Sequence, residues 1–352
     1  MSLAEISKPG IRNIHNVRVR SIEKVSAPET LAREIPLTEK CLATVTEGRE
    51  TIARIMHKEA PRLLVIIGPC SIHDVKSALE YAGHLSKLRN QVALKAEIVM
   101  RVYFEKPRTT TGWKGLINDP DLDDSCNIEK GLRTARKLLK DITEMGLPVA
   151  TEFLDSISPQ YLGDFVSWAA IGARTTESQS HREMASGLSM PVGYKNSTDG
   201  SLQVALDAMK ASLQPHSFLG VNDQGLISLI RTKGNELTHP ILRGGSRGEN
   251  YAPEHVQETK AKLKKLGLPE AIMIDCSHGN SNKLPERQEL VWKSILDQRA
   301  AGESSIIGAM LESNLHHGNQ SIPKNLNDLQ YGVSITDACI SWEKTEELFS
   351  SM

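Results

Sequence analysis

Short apolar segments alternate with longer amphipathic segments along most of this chain. Residues 62–68 (RLLVIIG) and 305–313 (SIIGAMLES) are nearly continuous runs of apolar residues, which is typical of strands buried on both faces of a parallel sheet. Residues 75–89 (VKSALEYAGHLSKLR) instead repeat their apolar positions at the spacing of a helix. The same strand-then-helix order occurs eight times, and the predicted strands begin at residues 62, 97, 148, 170, 191, 239, 271 and 305.

Eight consecutive strand–helix units predict an α/β fold, a (β/α)8 TIM barrel, with a doubly wound parallel sheet as the alternative. Two segments fall outside this count. Residues 37–58 have a helical pattern, and residues 216–232 predict two short strands joined by a turn at 223–225. We therefore predict an N-terminal regulatory or oligomerisation arm over residues 1–61 and a catalytic barrel over residues 62–352, with a regulatory hairpin inserted at residues 214–238.

Positively charged residues follow several of the predicted strands, at the barrel end where TIM-barrel enzymes carry their active sites. Arginine and lysine suit the oxygens of phosphates and carboxylates, and gathered cations repel one another unless an anion neutralises them. The pattern favours a pocket for a phosphorylated, polyanionic substrate over a set of solvated surface residues. The residues are Arg101, Lys106, Arg108, Arg174, Lys195 and Arg243.

Four residues of the types that bind transition metals lie at the same predicted end of the barrel. Cys70 follows the first strand, His278 follows the seventh and Glu312 ends the eighth. Asp337 lies in the loop before the last helix. A thiol, an imidazole and two carboxylates form a mixed soft and hard donor set that several divalent metals accept. Because no local motif links the four, the spacing alone is weak evidence for a metal site, and the alternative is a buried cysteine with a hydrogen-bonded histidine in a loop.

The overall composition excludes several classes of protein. With 42 Lys and Arg against 43 Asp and Glu, the net charge is −1, so we expect no global basic surface for nucleic acid. We expect no membrane span, because no apolar run approaches the roughly 20 residues that cross a bilayer, and no signal peptide, because the N-terminal sequence MSLAEISKPGIRN lacks an apolar core. The five cysteines contain no CxxC pair, which argues against a disulfide framework and favours a reducing cytoplasm.

Six blocks of the sequence are long and distinctive: IIGPCSIHD, MRVYFEKPRTTTGWKGLINDP, GARTTESQSHREMASGLSMPVG, ILRGG, IDCSHGNSNK and YGVSITDACISWE. Together they resemble class I 3-deoxy-D-arabino-heptulosonate-7-phosphate (DAHP) synthase in its larger, feedback-regulated form. The resemblance extends over nearly the whole chain. It implies a (β/α)8 barrel that condenses phosphoenolpyruvate with erythrose 4-phosphate, which is the first committed step of the shikimate pathway to aromatic amino acids.

The resemblance also implies a role for each candidate residue. A divalent metal, with Mn, Fe, Co and Zn as the candidates, is expected on Cys70, His278, Glu312 and Asp337. Phosphoenolpyruvate is expected on Arg101, Lys106, Arg174, Lys195 and Arg243, with Glu152 beside them, and erythrose 4-phosphate on Arg108 and Thr109. Lys106 is the candidate proton donor or water-orienting group, and Arg101, Cys70 and His278 complete the expected catalytic set.

In the regulated family, an aromatic amino acid inhibits by binding a cavity that the arm and the hairpin form near a subunit contact. Gly220 stands where the phenylalanine-responsive branch tends to have serine, and glycine leaves room for a phenol hydroxyl, so the resemblance favours tyrosine over phenylalanine. Packing between the subunits of a dimer or tetramer is the alternative use of these positions. The matching residues are Asn16, Pro159, Gln160, Met184, Leu188, Ser189, Phe218 and Gly220.

Three other functions compete with this interpretation. A Schiff-base aldolase would use Lys195 or Lys106 as its nucleophile in a similar barrel. A different phosphoenolpyruvate-using synthase would act on another aldose phosphate. A non-catalytic sensor of aromatic amino acids would keep the barrel without its chemistry, although every candidate ligand and cation position here remains occupied by a suitable residue.

Overall fold

The computed structural model describes residues 14–108 and 110–352 of the chain. Eight parallel strands close into a barrel and follow one another around it in chain order. The predicted (β/α)8 class is therefore confirmed. The strands are β1 (Leu63–Gly68), β2 (Ala96–Arg101), β3 (Val149–Glu152), β4 (Trp168–Ile171), β5 (Val192–Lys195), β8 (Thr238–Leu242), β9 (Ile272–Asp275) and β10 (Ile306–Glu312), and every residue in them is buried.

Complete burial explains why these strands read as continuous apolar runs. Side chains that point outward pack against the surrounding helices, whereas alternate residues such as Leu64, Val99 and Met310 fill the barrel interior. The interior cluster also contains Ile52 and Ile55 from a helix that precedes the first strand. This helix therefore closes one end of the barrel and leaves the other end for the site.

Ten α-helices lie among the described residues. The helices predicted at residues 37–58 and 75–89 are present, and their observed ends lie within two residues of those bounds. The helices are α1 (Pro28–Glu34), α2 (Glu39–Met56), α3 (Val75–Gln91), α4 (Ile128–Glu144), α5 (Ser158–Leu162), α6 (Gln179–Ala185), α7 (Gln203–Ser212), α8 (Pro253–Lys265), α9 (Gln288–Ala300) and α10 (Trp342–Ser350). Within the described part of the chain, none has both the length and the apolar character needed to cross a bilayer.

The region around α5 differs from its sequence prediction. The sequence SPQYLGDFVSW (residues 158–168) predicts one helix that Ser158 caps. In the structure α5 ends at Leu162 and a short 3-10 turn follows, because Trp168 is the first residue of β4 and is fully buried in the barrel. Ser158 was expected to cap α5. It is instead the first helical residue, and its hydroxyl donates to the Glu105 carboxylate at 2.8 Å.

The predicted hairpin is present as a separate antiparallel pair, β6 (Ser217–Val221) and β7 (Ile227–Arg231). Its turn is closed by Asn222, whose side chain accepts hydrogen bonds from two backbone N–H groups of the turn. The arm and the hairpin meet where the N–H of Glu29 donates to the carbonyl of Asp223 at 2.8 Å. The arm is also fixed to the barrel, because Tyr161 of α5 donates to the Ser26 carbonyl at 2.7 Å.

Candidate active site

A pocket of about 480 Å³ opens at the carboxyl ends of the barrel strands. The six cations singled out in the sequence all line it, although they are distributed over four strand–loop junctions between residues 101 and 243. Parallel strands in a closed barrel bring their carboxyl ends to one rim, which explains this convergence. Thr109 lies outside the described residues. The six are Arg101, Lys106, Arg108, Arg174, Lys195 and Arg243.

Arg101 forms the floor of the pocket at the end of β2. Its side chain is fully buried, and its guanidinium donates to Glu312 Oε1 at 2.9 Å and to the Pro69 carbonyl at 3.1 Å. The guanidinium also lies 3.7 Å from the ring centre of Tyr103, within range of a cation–π interaction. Arg101 is thereby held in one orientation before any substrate arrives.

Lys106 and Cys70 lie against each other in the buried part of the site. The Lys106 ammonium is 3.2 Å from Cys70 Sγ and 3.3 Å from the Cys70 carbonyl. Burial opposes the charge of this ammonium, but the neighbouring Cys70 and Glu312 outweigh burial and raise its pKa. Burial and the Glu312 charge raise the pKa of the Cys70 thiol to about 11, against the opposing effect of Lys106.

Three of the four predicted metal ligands come together beside this pair. Ligand atoms of Cys70, Glu312 and Asp337 all lie within 4.8 Å of one another. Burial opposes ionisation of Asp337, but the charges of Lys106 and His278 outweigh it and lower its pKa. A thiolate and two carboxylates within this distance suit a divalent transition metal, which would also favour the ionised thiol.

His278 lies at the edge of this group and outside the 4.8 Å set. Its Nε2 is 3.9 Å from Glu312 Oε1, on the side of the candidate ligands. Its Nδ1 is engaged on the other side, 2.9 Å from Asp275 Oδ2 and 2.7 Å from the Ser277 hydroxyl. An imidazole whose Nδ1 is fixed by a carboxylate leaves Nε2 for a metal, which is the usual outer-shell arrangement of a ligating histidine.

Asp275 was missed by the sequence reasoning, yet it connects two of the predicted residues. It is fully buried at the end of β9, and it accepts from Lys195 Nζ at 3.0 Å as well as contacting His278. Burial opposes its charge, but Lys195 and His278 hold its pKa well below the usual range. The sequence did contain a signal for it: Asp275 is the polar residue that ends the otherwise apolar strand IMID, at the barrel end where the site lies.

Glu152 lies in the wall of the pocket, at the end of β3. It is buried, and its Oε1 has no hydrogen-bond partner among the described residues. A side chain at Gly172 would collide with that oxygen, because a Cβ there would lie 2.2 Å from it. A buried carboxylate oxygen without a partner is suited to accept a hydrogen bond from a water or a substrate hydroxyl.

The outer part of the pocket is more open. Arg108 and Arg174 are exposed, whereas Arg243 is half-buried and burial lowers its pKa. Lys283 also lines the pocket, and sequence reasoning missed it because it follows no strand directly. It is carried there by a tight loop in which His278, Asn282 and Lys283 all have left-handed φ angles of 58°, 52° and 61°.

A second cavity, of about 840 Å³, lies away from this pocket between α1, α5 and the loop after α6. Pro159, Gln160, Leu188 and Ser189 of the predicted effector set line it. The other four predicted effector residues are not part of its lining. Met184 is buried in the core, Phe218 and Gly220 lie half-buried on β6, and Asn16 lies in the arm.

Comparisons with known proteins agree with this architecture. A profile of the DAHP synthetase I family matches residues 35–350. The chain is 53% identical to the Tyr-sensitive phospho-2-dehydro-3-deoxyheptonate aldolase of Escherichia coli, over 95% of this chain and 94% of the relative. It is also 53% identical to the Phe-sensitive enzyme of that organism, over 96% of each chain.

A solved structure of a phospho-2-dehydro-3-deoxyheptonate aldolase, from Francisella tularensis, has the same fold. Its TM-score to this chain is 0.92 at 50% sequence identity, and the match covers 94% of this chain and 96% of the other. Sequence identity at this level over nearly the full length of both proteins establishes the enzyme class as well as the fold. The chain therefore belongs to the DAHP synthetase I family and is an enzyme of the phospho-2-dehydro-3-deoxyheptonate aldolase (DAHP synthase) class.

Proposed function

We propose that this chain condenses phosphoenolpyruvate with D-erythrose 4-phosphate and water to give DAHP and inorganic phosphate, the first step of the shikimate pathway. The observation that carries the proposal is the gathering of six cations in one pocket beside the Cys70, Glu312 and Asp337 cluster. The two substrates carry two phosphates and a carboxylate between them. Neutralising these anions away from bulk water requires several cations fixed in advance.

The reaction joins carbon 3 of phosphoenolpyruvate to the aldehyde carbon of erythrose 4-phosphate. Water supplies the oxygen that adds at carbon 2, and the bond from carbon 2 to the phosphate oxygen breaks, releasing phosphate. We assign phosphoenolpyruvate to the inner cations Arg101, Lys106 and Lys195 together with Arg174 and Arg243. We assign the sugar phosphate to the outer rim at Arg108, where the pocket is more open, and to Thr109, which follows Arg108 in the sequence and lies outside the described residues.

A divalent metal on Cys70, His278, Glu312 and Asp337 would supply Lewis-acid polarisation of the aldehyde oxygen. Arg101 orients the phosphoenolpyruvate end of the site, because its ion pair with Glu312 fixes the guanidinium. Lys106 remains an ammonium at neutral pH and is placed to donate a proton or to orient the attacking water. Glu152 is the nearby carboxylate with a free oxygen to accept a hydrogen bond from that water.

The state of the two lysines weakens the Schiff-base alternative. Lys195 donates to the buried Asp275 carboxylate at 3.0 Å, and the raised pKa of Lys106 favours the protonated form of that amine. A Schiff-base lysine requires the opposite shift, because the free amine is the nucleophile.

A reconstituted activity assay tests the reaction. The purified chain, treated with EDTA and then supplied separately with Mn²⁺, Fe²⁺, Co²⁺ or Zn²⁺, should regain activity with phosphoenolpyruvate and erythrose 4-phosphate. Replacing the sugar by arabinose 5-phosphate distinguishes a related synthase with another aldose preference. Activity that survives EDTA but is lost on borohydride treatment with substrate would favour the Schiff-base aldolase.

We further propose feedback inhibition by an aromatic amino acid, with tyrosine favoured over phenylalanine. Overall identity does not choose between them, since Tyr-sensitive and Phe-sensitive relatives are both 53% identical to this chain. The support is local: a Cβ at Gly220 would lie 2.7 Å from the Ile230 side chain, so a serine there would move Ile230 and reduce the space on β6. Titration of the wild-type chain and Gly220→Ser with both amino acids tests this, and stronger inhibition of the wild-type chain by phenylalanine would exclude the proposed preference.

We also propose that the chain forms a homodimer or a dimer of dimers in the cytoplasm. Large apolar side chains of the arm and hairpin are exposed, including Ile14, Ile22, Leu219 and Ile227, and a second subunit would cover them. A reducing compartment suits a thiol at Cys70 that must stay unoxidised to bind a metal. Light scattering coupled to gel filtration tests the oligomer, and a monomer at micromolar concentration would exclude it.

A further inference from the structure

Two consecutive residues of the segment that follows β2, Glu105 and Lys106, line two different cavities. Lys106 lines the candidate active-site pocket, whereas Glu105 lines a third cavity of about 720 Å³ bounded by the arm, α4, α5 and the hairpin turn. The two side chains therefore leave the segment on opposite sides. The segment that carries Lys106 is therefore the wall between the two cavities.

The Glu105 carboxylate is almost completely buried and is bound to a single neighbouring segment. It accepts from the backbone N–H of Asp155 at 3.1 Å, from the backbone N–H of Leu154 at 3.4 Å and from the Ser158 hydroxyl at 2.8 Å. A buried carboxyl group that accepts three hydrogen bonds is held in place, because losing any of the donors leaves a buried polar oxygen without a partner.

The backbone of the same segment is fixed from the other side. The Lys106 N–H donates to the Lys114 carbonyl at 2.9 Å, and Gly115 lies so close to the Phe104 carbonyl that a Cβ there would be 2.0 Å away. The backbone contacts define where the segment runs. The hydrogen bonds of the Glu105 side chain set the rotation of residues 105–106 about the direction of the chain. Because Lys106 is the next residue, this rotation sets the direction of its side chain.

We propose that Glu105 is a positioning residue, which holds the Lys106 ammonium 3.2 Å from Cys70 Sγ by anchoring its segment to residues 154–158. The consequence for catalysis rests on the proposed function, in which Lys106 acts during the reaction. The same anchor joins the active-site wall to α5, whose Pro159 and Gln160 line the 840 Å³ cavity. Displacement of α5 is thus transmitted to Lys106 through Glu105.

The test compares Glu105→Gln with Glu23→Gln as the matched control. The glutamine keeps the size of the side chain but presents an N–H₂ group to donors that need an acceptor. Glu23 lines the same cavity, is exposed, and accepts from Ser21 of its own segment. Each protein is measured for kcat, for KM of both substrates, for Tm, and for hydrogen exchange across the whole chain, including the peptides that span residues 102–108 and 153–158.

We expect kcat of Glu105→Gln to fall about 10²-fold, the cost typical of a misplacement of about 1 Å in a catalytic group. KM for both substrates should stay within about threefold, exchange should rise in residues 102–108 and 153–158, and Glu23→Gln should match the wild-type chain. Unchanged kcat and exchange would overturn the proposal. So would a drop in kcat accompanied by faster exchange across the whole barrel, which is the signature of general destabilisation.

Ser158→Ala provides the second variant should Glu105→Gln fail to fold. It removes one of the three donors and leaves the carboxylate in place, so kcat should fall in the same direction by a smaller factor. The exchange measurement needs no substrate. A wild-type chain that is inactive with both substrates would exclude the proposed function, whereas unaltered exchange in both Glu105→Gln and Ser158→Ala would exclude the anchoring role independently.

Discussion

Replacing Asp275 with asparagine removes the one buried charge that Lys195 and His278 share. The carboxylate is fully buried, lies 3.0 Å from Lys195 Nζ and 2.9 Å from His278 Nδ1, and accepts two further hydrogen bonds from the N–H and hydroxyl of Ser277. Asparagine has nearly the same shape. The substitution therefore leaves the packing intact and isolates the electrostatic contribution.

The expected cost can be worked out from the ion pair. Two unit charges 3.0 Å apart attract by about 5 kcal/mol at an effective dielectric constant of about 20. In Asp275→Asn, Lys195 stays buried without its partner, and removing one member of a buried pair typically destabilises a protein by about 3–5 kcal/mol. We expect a loss of this size in the free energy of unfolding, a large part of the roughly 5–15 kcal/mol that stabilises most proteins.

The same change should weaken metal binding. Without the carboxylate, His278 loses the group that fixes its ring, and loss of such an outer-shell partner usually lowers metal affinity about 10–100-fold. The depressed pKa of Asp275 fixes the sign of the pH effect: its stabilisation is complete above the ordinary value of 3.8 and is lost only as the pH falls below it. The full difference in the free energy of unfolding between the wild-type chain and Asp275→Asn should therefore be present at neutral pH.

Urea unfolding at pH 7 and metal titration of the chelated protein measure both effects. The matched control is Asp141→Asn, because Asp141 pairs with Lys137 on the exposed face of α4 at 2.9 Å. Exposed pairs of this kind contribute only about 0.3–0.5 kcal/mol. If Asp275→Asn lost no more stability than Asp141→Asn and bound metal as tightly as the wild-type chain, the argument from the buried pair would be refuted.

Three further outcomes are expected. Lys106→Met should lower kcat roughly 10²–10⁴-fold in steady-state assays while Tm stays near the wild-type value, since a positioned proton donor typically contributes this much. Cys70→Ser removes a direct ligand, so it should lower metal affinity by more than the roughly 10–100-fold typical of losing an outer-shell partner, as measured by atomic absorption of protein equilibrated with increasing metal. Glu303→Gln should cost about 2 kcal/mol in urea unfolding at pH 7, because burial opposes its charge but hydrogen bonds from Ser305 hold its pKa at about 2. The full shift from 4.5 corresponds to about 3 kcal/mol, and screening by solvent reduces this to the expected difference. That difference should shrink as the pH falls from 4.5 towards 2, and a constant difference would contradict it.

The barrel was predictable because burial on both faces leaves a direct mark on the sequence. Each strand is a short run of apolar residues, and all eight predicted strands are present. The ends of helices and strands were predicted less well where the same residue type is common in both, as with a large aromatic residue at their junction. Trp168 suited the amphipathic pattern of the preceding helix, and only its burial in the barrel assigns it to β4.

The pocket was predictable to the extent that its residues follow strands directly. Arg101, Lys195 and Arg243 stand at or next to strand ends, where topology alone determines their neighbours. Lys283 does not, since it reaches the pocket through a left-handed turn that depends on local backbone geometry. The ion pair between Asp275 and Lys195 could not be predicted either, because the position of an acidic residue at a strand end does not indicate which cation it contacts.

The near-neutral charge of the chain conceals a strong asymmetry in where that charge lies. Although 42 basic residues face 43 acidic ones overall, seven basic side chains line the mouth of the barrel. A positive field focused through a concave opening draws anions in from solution and raises their rate of encounter. Because salt screens such a field over about 10 Å at 0.1 M, kcat/KM for both phosphorylated substrates should fall with rising ionic strength well before kcat does.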